Sequence, residues 1–221
     1  MSQSTKKKLV VYDLDGTLVD TAEDITRAAN HMIKEMGRRA LSREAVSRFV
    51  GKGLHHLIKS CLGTENPKEI ERGAKIYRAY YAAHMMDHSR LYPGVRECLD
   101  YFSGRSQAVV TNKPNPFSRE LLEALGVAGY FMEIVAGDSG YSKKPSPEAF
   151  FSLMKKAGAG AGETLFIGDS PVDIETGRNA GVVTWVVSHG FSSAEELKCH
   201  TPDALFNNFH DLIRWAGKKG W

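Results

Sequence analysis

Cysteine is scarce in this sequence, and what there is does not suggest pairing. Cys61, Cys98 and Cys199 are three among 221 residues, far apart and without any C-x-x-C spacing, so neither a disulfide framework nor a zinc site is expected. That usage fits a reducing, cytoplasmic setting. Charge of one sign is also lacking: 29 Lys and Arg against 26 Asp and Glu leave a formal charge of +3, with the basic residues scattered along the chain. No nucleic-acid partner is expected from such a balance. The apolar stretch that follows Lys6-Lys7-Lys8 ends at Tyr12, too short for a signal peptide or a membrane span. No internal repeat or low-complexity segment is present. What remains is a chain 42% hydrophobic and 25% charged, long enough for one sizeable core or for a core carrying a smaller second domain.

Against this ordinary background one stretch is unusual. Leu9-Val10-Val11-Tyr12 reads as a buried strand and runs directly into Asp13-Leu14-Asp15-Gly16-Thr17, where residues that form strands poorly stop it and turn the chain. Two carboxylates two residues apart are costly unless a cation, a shared proton or an electrophile relieves them. The carboxyl end of a parallel strand is also where open α/β sheets bind ligands.

From Asp20 to Arg90 the pattern is helical throughout. Thr21 followed by Asp24 resembles a capping box, and Ile25, Ala28, Ala29, Met32 and Met36 recur at helical spacing until Gly37. A short helix over 43–49, a third after Gly51-Lys52-Gly53 and a fourth opening at Asn66-Pro67 complete a four-helix insertion whose Met and Tyr residues form a small core. From Leu91 the texture returns to alternating strands and helices. Strands are expected at 108–110, 133–136, 164–167 and 182–187, with helices at 95–102, 116–125, 148–157 and 173–180. The expected architecture is α/β, a Rossmann-like three-layer parallel sheet formed by 1–19 and 91–221, with an all-helical domain of 20–90 inserted after the first strand. Lys218-Lys219-Gly220-Trp221 reads as a frayed tail.

The strand ends collect a constellation: Asp13 and Asp15 on the first, Thr111 and Asn112 on the second, Lys144 in a loop after the third, Asp169 and Asp173 at and after the fourth. Carboxylates facing one cavity suit a hard divalent cation such as Mg²⁺, and a lysine and hydroxyl beside them suit the oxygens of a phosphoryl group in transfer.

D-x-D-G-T, the Thr111-Asn112 strand end, Lys144-Pro145 and Gly168-Asp169-Ser170-x-x-Asp173 resemble, in order, the four motifs of the haloacid dehalogenase superfamily, and the helical insertion resembles its small cap domain. Asp20-Thr21, Val50-Gly51-Lys52-Gly53 and Thr111-Asn112-Lys113-Pro114 look most like the phosphoglycolate phosphatase branch. The resemblance implies that Asp13 attacks phosphorus and that Asp15 serves as acid and then base. It implies Mg²⁺ held by the carboxylates of Asp13 and Asp169 and the main-chain carbonyl of Asp15, with Asp173 and Ser170 supporting the metal waters or Lys144. Thr111, Lys144, Gly16, Thr17 and Asn112 would hold the phosphoryl oxygens. Lys144 is preferred to Lys143 because it directly precedes Pro145. Dehalogenases lack the second aspartate, so Asp15 disfavours carbon–halogen cleavage.

The implied activity is a Mg²⁺-dependent phosphatase for a small phosphorylated metabolite, with 2-phosphoglycolate leading. A β-phosphoglucomutase-like phosphotransferase, a pyrophosphatase, another sugar-phosphate phosphatase and, last, a non-catalytic binding protein stay open. A monomer or homodimer without nucleic acid or membrane partners is expected. Lys52 and Gly53, at a helix start, are expected to take a substrate carboxylate. His84 and His88, four apart, have no third ligand nearby in sequence and read as a polar helix face.

Overall fold

Leu9–Tyr12 forms β1, and all four of its side chains are buried, as a strand at the centre of a covered parallel sheet requires. The computed structural model describes residues 7–221; Lys6 of the basic run lies outside them. The chain continues through a two-residue strand, β2 (Val19–Asp20), into four helices: α1 (Ala22–Glu35), α2 (Arg43–Ser47), α3 (Leu54–Leu62) and α4 (Pro67–His84). It returns through β3 (Arg90–Leu91), which pairs antiparallel with β2. Two residues per strand carry no readable periodicity, so this ribbon at the two ends of the helical stretch was not expected. The helices bury Ile25, Met32, Ile58, Tyr77 and Tyr81 against one another in a cluster of their own, which Phe117 joins from outside the insertion.

The rest of the chain alternates. After α5 (Val95–Tyr101) come β4 (Ser106–Val110), α6 (Phe117–Ala124), β5 (Glu133–Val135), α7 (Glu148–Ala157), β6 (Thr164–Gly168), α8 (Pro171–Ala180), β7 (Val183–Val187), α9 (Ala194–Cys199), β8 (Ala204–Phe206) and α10 (Phe209–Lys218). The sheet order is β5-β4-β1-β6-β7-β8, and every neighbouring pair is parallel. Alternation along β1 divides its side chains between the two covered faces. Val10 and Tyr12 join Leu99, Phe102, Leu121 and Leu212 on one side, whereas Leu9 and Val11 join Phe150, Leu153 and Phe166 on the other. This is the three-layer α/β architecture read from the sequence.

β1 lies between β4 and β6, where the strand order changes direction. A crevice therefore opens at the carboxyl ends of these three strands. The last part of the chain departs from expectation, since β8, α9 and α10 extend the sheet and its cover beyond β7. Nor does the tail fray. The Tyr101 hydroxyl donates to the Trp221 carbonyl at 2.7 Å, and the Trp221 ring lies 4.4 Å from that of Trp185. Burial of an indole outweighs the local signal of two lysines and a glycine.

Candidate active site

The crevice is built first by the turn after β1. Gly16 N–H donates to the Val19 carbonyl at 2.9 Å, and Leu18 and Val19 both donate to the Leu14 carbonyl at 3.0 Å, which curls 13–19 tightly. Gly16 sits at φ +83°, and a side chain there would collide with the Asp169 carboxylate. Glycine is thus required twice over, for the backbone angle and for the approach of the acid.

Asp13, Asp169 and Asp173 are 5%, 1% and 0% exposed. Each offers a carboxylate oxygen within 4.8 Å of the others. Lys144 reaches them from the loop after β5, its ammonium 2.7 Å from Asp173 Oδ1 and 2.8 Å from Asp13 Oδ1. Its position is fixed by Asn112, whose Oδ1 accepts from the Lys144 N–H at 2.9 Å while Nδ2 donates to the Lys144 carbonyl at 3.1 Å. Asn112, expected at the substrate, clamps the lysine loop and also lines the cavity beside Asp13, and Nδ2 donates to the Gly51 carbonyl at 2.9 Å. Asp173 is held on its other side by the Ser170 hydroxyl at 2.5 Å and the Ser170 N–H at 3.0 Å. These belong to the capping box of α8, which starts at Pro171 rather than at Asp173.

The charges do not balance. Three carboxylates around one ammonium leave two negative charges in a dry environment. Burial, partly offset by Lys144 and reinforced by Asp173, pushes the Asp13 carboxyl up to about 7. Burial, Asp173 and Asp13 together raise Asp169 well above the ordinary carboxylate range. Burial alone would lower Lys144, but Asp13 and Asp173 outweigh it and keep the side chain firmly protonated. At Asp13 burial outweighs the ammonium, whereas at Lys144 the two acids together outweigh burial. Asp13 Oδ1 accepts no well-aligned hydrogen bond despite the nearby ammonium. Oxygen donors with unmet negative charge fit a hard dication such as Mg²⁺. Asp169 is the best prepared of them, its Oδ1 accepting from the Thr17 hydroxyl at 2.6 Å and its Oδ2 from the Phe191 N–H at 2.9 Å.

Asp15 faces a different environment. Its Oδ1 accepts from the Thr21 hydroxyl and from the Lys113 ammonium, both at 2.8 Å. Thr21 makes no side-chain cap on α1, which corrects the capping-box reading. Asp24, its supposed partner, instead accepts from the His88 and Ser89 N–H groups and the Ser89 hydroxyl at 2.7–3.0 Å. Thr111, 4% exposed, lines the same cavity as Asp13 and Asp15.

The remaining walls of that cavity come from Ile25, Val50, Gly51, Gly53, Leu54, Leu57, Tyr77, Tyr81, Asn112, Lys113, Pro114 and Phe117. Gly53 is among them, but Lys52 is exposed and does not line the cavity. The Lys143 ammonium points instead toward Gly53, which separates it from Lys144. His84 pairs with Asp87 at 2.9 Å on the exposed helix face.

A family model described as haloacid dehalogenase-like hydrolase matches residues 10–187. The chain belongs to that family. Among curated relatives of this hydrolase, phosphoglycolate phosphatase of Vibrio parahaemolyticus is 34% identical, covering 93% of this chain and 94% of its own. That of Pseudomonas syringae pv. syringae is 36% identical over 93% of this chain and 78% of its own. A crystal structure of a predicted phosphoglycolate phosphatase from Haemophilus somnus superposes with a TM-score of 0.91 at 29% identity, covering 97% and 100% of the two chains.

Three contributors to the hydrolase's site escaped sequence reading. Lys113 sits within a motif that was read, yet only the packing reveals where its ammonium goes. Tyr81 looked like helix core. Gly190 lies in a loop with no motif, although a side chain there would strike the Asp169 carboxylate and the Gly16 carbonyl.

Proposed function

We propose that this hydrolase is a Mg²⁺-dependent phosphatase acting on a small phosphorylated acid, with 2-phosphoglycolate as the leading substrate. The observation that carries the reading is the buried group of Asp13, Asp169 and Asp173 with the Lys144 ammonium between two of them. Phosphoryl transfer needs a nucleophile surrounded by fixed positive charge. The substrate follows from the names of relatives that align over almost the whole chain.

In this mechanism an Asp13 carboxylate oxygen attacks phosphorus, the ester P–O bond breaks, and Asp15 delivers a proton to the departing oxygen. Water then attacks the phosphorus of the aspartyl-phosphate. Asp15 takes its proton, and the Asp13 carboxylate and inorganic phosphate are released. Lys144, Thr111 and the backbone around Gly16 and Thr17 hold the phosphoryl oxygens. The carboxylates of Asp13 and Asp169 and the main-chain carbonyl of Asp15 would hold Mg²⁺, with Asp173 and Ser170 steadying Lys144. When bound, the ion would neutralise charge on the phosphoryl group and on its carboxylate ligands. The helical part, 20–90, serves as the cap that excludes water and chooses the leaving group, and 1–19 with 91–221 serve as the catalytic core.

The test is phosphate release from 2-phosphoglycolate by wild type and Asp13→Asn, with Mg²⁺ or with chelator. Wild type with Mg²⁺ is expected to turn over, and the variant to lose at least ~10³-fold in kcat/KM. Activity at wild-type level in the variant would remove the covalent mechanism, and indifference to chelator would remove the metal.

A further inference from the structure

Among the described residues, the cavity beside Asp13 is lined by a single cation, and that cation is Lys113 rather than Lys52. Lys113 is 8% exposed, an unusual place for an ammonium on a flexible stem. Its head is pinned by Asp15 Oδ1 at 2.8 Å and the Tyr81 hydroxyl at 2.7 Å, and it lies over the Tyr81 ring at 4.6 Å. An ammonium has three N–H donors. Two are used, and among the described residues no protein acceptor takes the third.

The surroundings restrict what can meet that donor. Ile25, Val50, Leu54, Leu57, Tyr77 and Phe117 make the rest of this side of the cavity largely apolar. Part of the space in front of these residues is open to solvent. Beyond Lys144 at the phosphoryl position, a ligand with its phosphoryl group at Asp13 meets one further cation, Lys113, the polar side chains of Asp15, Thr111 and Asn112, and otherwise largely apolar walls. The charge selects a second anionic group on the ligand.

Resting on the phosphatase reading above, we propose that Lys113, held in place by Tyr81, is the specificity-determining residue and binds the non-transferred carboxylate of a short phosphorylated hydroxy acid. The ammonium then faces two acceptors, Asp15 and the substrate carboxylate, from one fixed position. A hydroxyl or methyl in place of the carboxylate leaves the desolvated ammonium without its second charged partner, and such esters are poor substrates. Tyr81 comes from α4 and Lys113 from the loop after β4, so the subsite is assembled only when helical insertion and sheet are together.

The experiment compares wild type and Lys113→Met on 2-phosphoglycolate and on 2-hydroxyethyl phosphate, which replaces the carboxylate with a hydroxymethyl group. Because Lys113 also holds Asp15, the variant is expected to lose on both esters, but on the order of 10- to 100-fold more in kcat/KM on phosphoglycolate than on the neutral ester, the excess mostly through KM. Equal loss on both esters would mean that Lys113 serves only to position Asp15, and loss on neither would mean that it serves nothing; each overturns the proposal. Binding supplies the second measurement. In the Asp13→Asn background with Mg²⁺, phosphonoacetate is expected to bind more tightly than methylphosphonate, and Lys113→Met is expected to erase that difference. A difference that persists in the Met variant overturns the assignment even if turnover is lost. If wild type releases phosphate from neither ester nor from an aryl phosphate, the phosphatase reading fails instead, and the outcomes remain distinct.

Discussion

The two sides of the cavity are built on different principles. On the sheet side, Asp13, Asp169, Asp173 and Lys144 are buried, charged and fixed by hydrogen bonds from loops at strand ends. On the other side, Leu54, Leu57 and Tyr77 of the helical insertion share a hydrophobic cluster with Phe117 of α6, and Lys113, from the loop after β4 and paired with Asp15, is among the described residues the one cation of the wall. Preorganised charge costs stability and is tolerable only where the backbone determines it completely. Apolar walls need only shape. In the proposed function the first side performs the step common to all substrates, and the second discriminates among them.

The largest expected effect lies on the charged side. Lys144→Met leaves Asp13 and Asp173 without their ammonium in a buried site, which should cost about 3–5 kcal/mol of stability by the measure of broken buried pairs. Its kcat/KM should fall by ~10³-fold or more on charged and neutral esters alike. Thermal unfolding and two-substrate kinetics measure both. A loss confined to one ester would break the division between the two sides, because a group serving the phosphoryl oxygens cannot distinguish leaving groups.

Gly190→Ala comes next and tests how far the charged side extends beyond its motifs. The added methyl would meet the Asp169 carboxylate and the Gly16 carbonyl, and small misplacements of such groups cost ~10²-fold in rate. Activity should fall by about that factor, with partial recovery at high Mg²⁺, since disturbed ligand support weakens metal affinity by about 10- to 100-fold. Unchanged metal dependence would detach Gly190 from the site.

Gly190 also marks where sequence reading stops. Asp13, Lys144, Asp169 and Asp173 were legible because each stands beside residues that set its local geometry: Gly16, Pro145, Gly168 and Ser170. Five strands of the sheet were legible because buried parallel strands are short apolar runs. Thr21 misled because a threonine three residues before an acid has the spacing of a cap, whereas packing gave it to Asp15 and gave Asp24 to Ser89. Lys113, Tyr81 and Gly190 join the site only through tertiary contact, and no local pattern marks such a meeting. The terminal β8 and α10 were missed for a related reason, as β8 is held by its pairing with β7 and α10 by Phe209, Leu212 and Ala216 in the core.

A smaller effect separates the sides by pH. Without a cation, Asp13 has a folded-state pKa of about 7 against an ordinary value of 3.8, and Asp169 is shifted the same way. The folded protein then binds more protons than the unfolded chain, so its stability falls as pH rises between those values. In the proposed function Mg²⁺ would bind the ionised carboxylates and reverse the loss. Saturating Mg²⁺ should raise Tm by about 5 °C at pH 8 and by less at pH 5. The same shift at both pH values would place the ion away from these acids.

The smallest expected effect concerns the helical side and sets Lys52 against Lys113. Lys52 follows Gly51, which stands at φ +97°, and precedes Gly53, at φ +87°. Both glycines line the cavity, while the lysine between them is exposed. An exposed ammonium stays hydrated and screened, so its attraction for a substrate carboxylate is weak. Lys52→Ala should change kcat/KM by less than about 2-fold on 2-phosphoglycolate and on its neutral analogue at moderate salt. The informative condition is low ionic strength, where long-range attraction of a dianionic or trianionic ester grows. A loss there that vanishes with added salt would make Lys52 an attractor of substrate at the rim. A salt-independent loss confined to phosphoglycolate would bring Lys52 inside the closed cavity and transfer to it the discrimination assigned to Lys113.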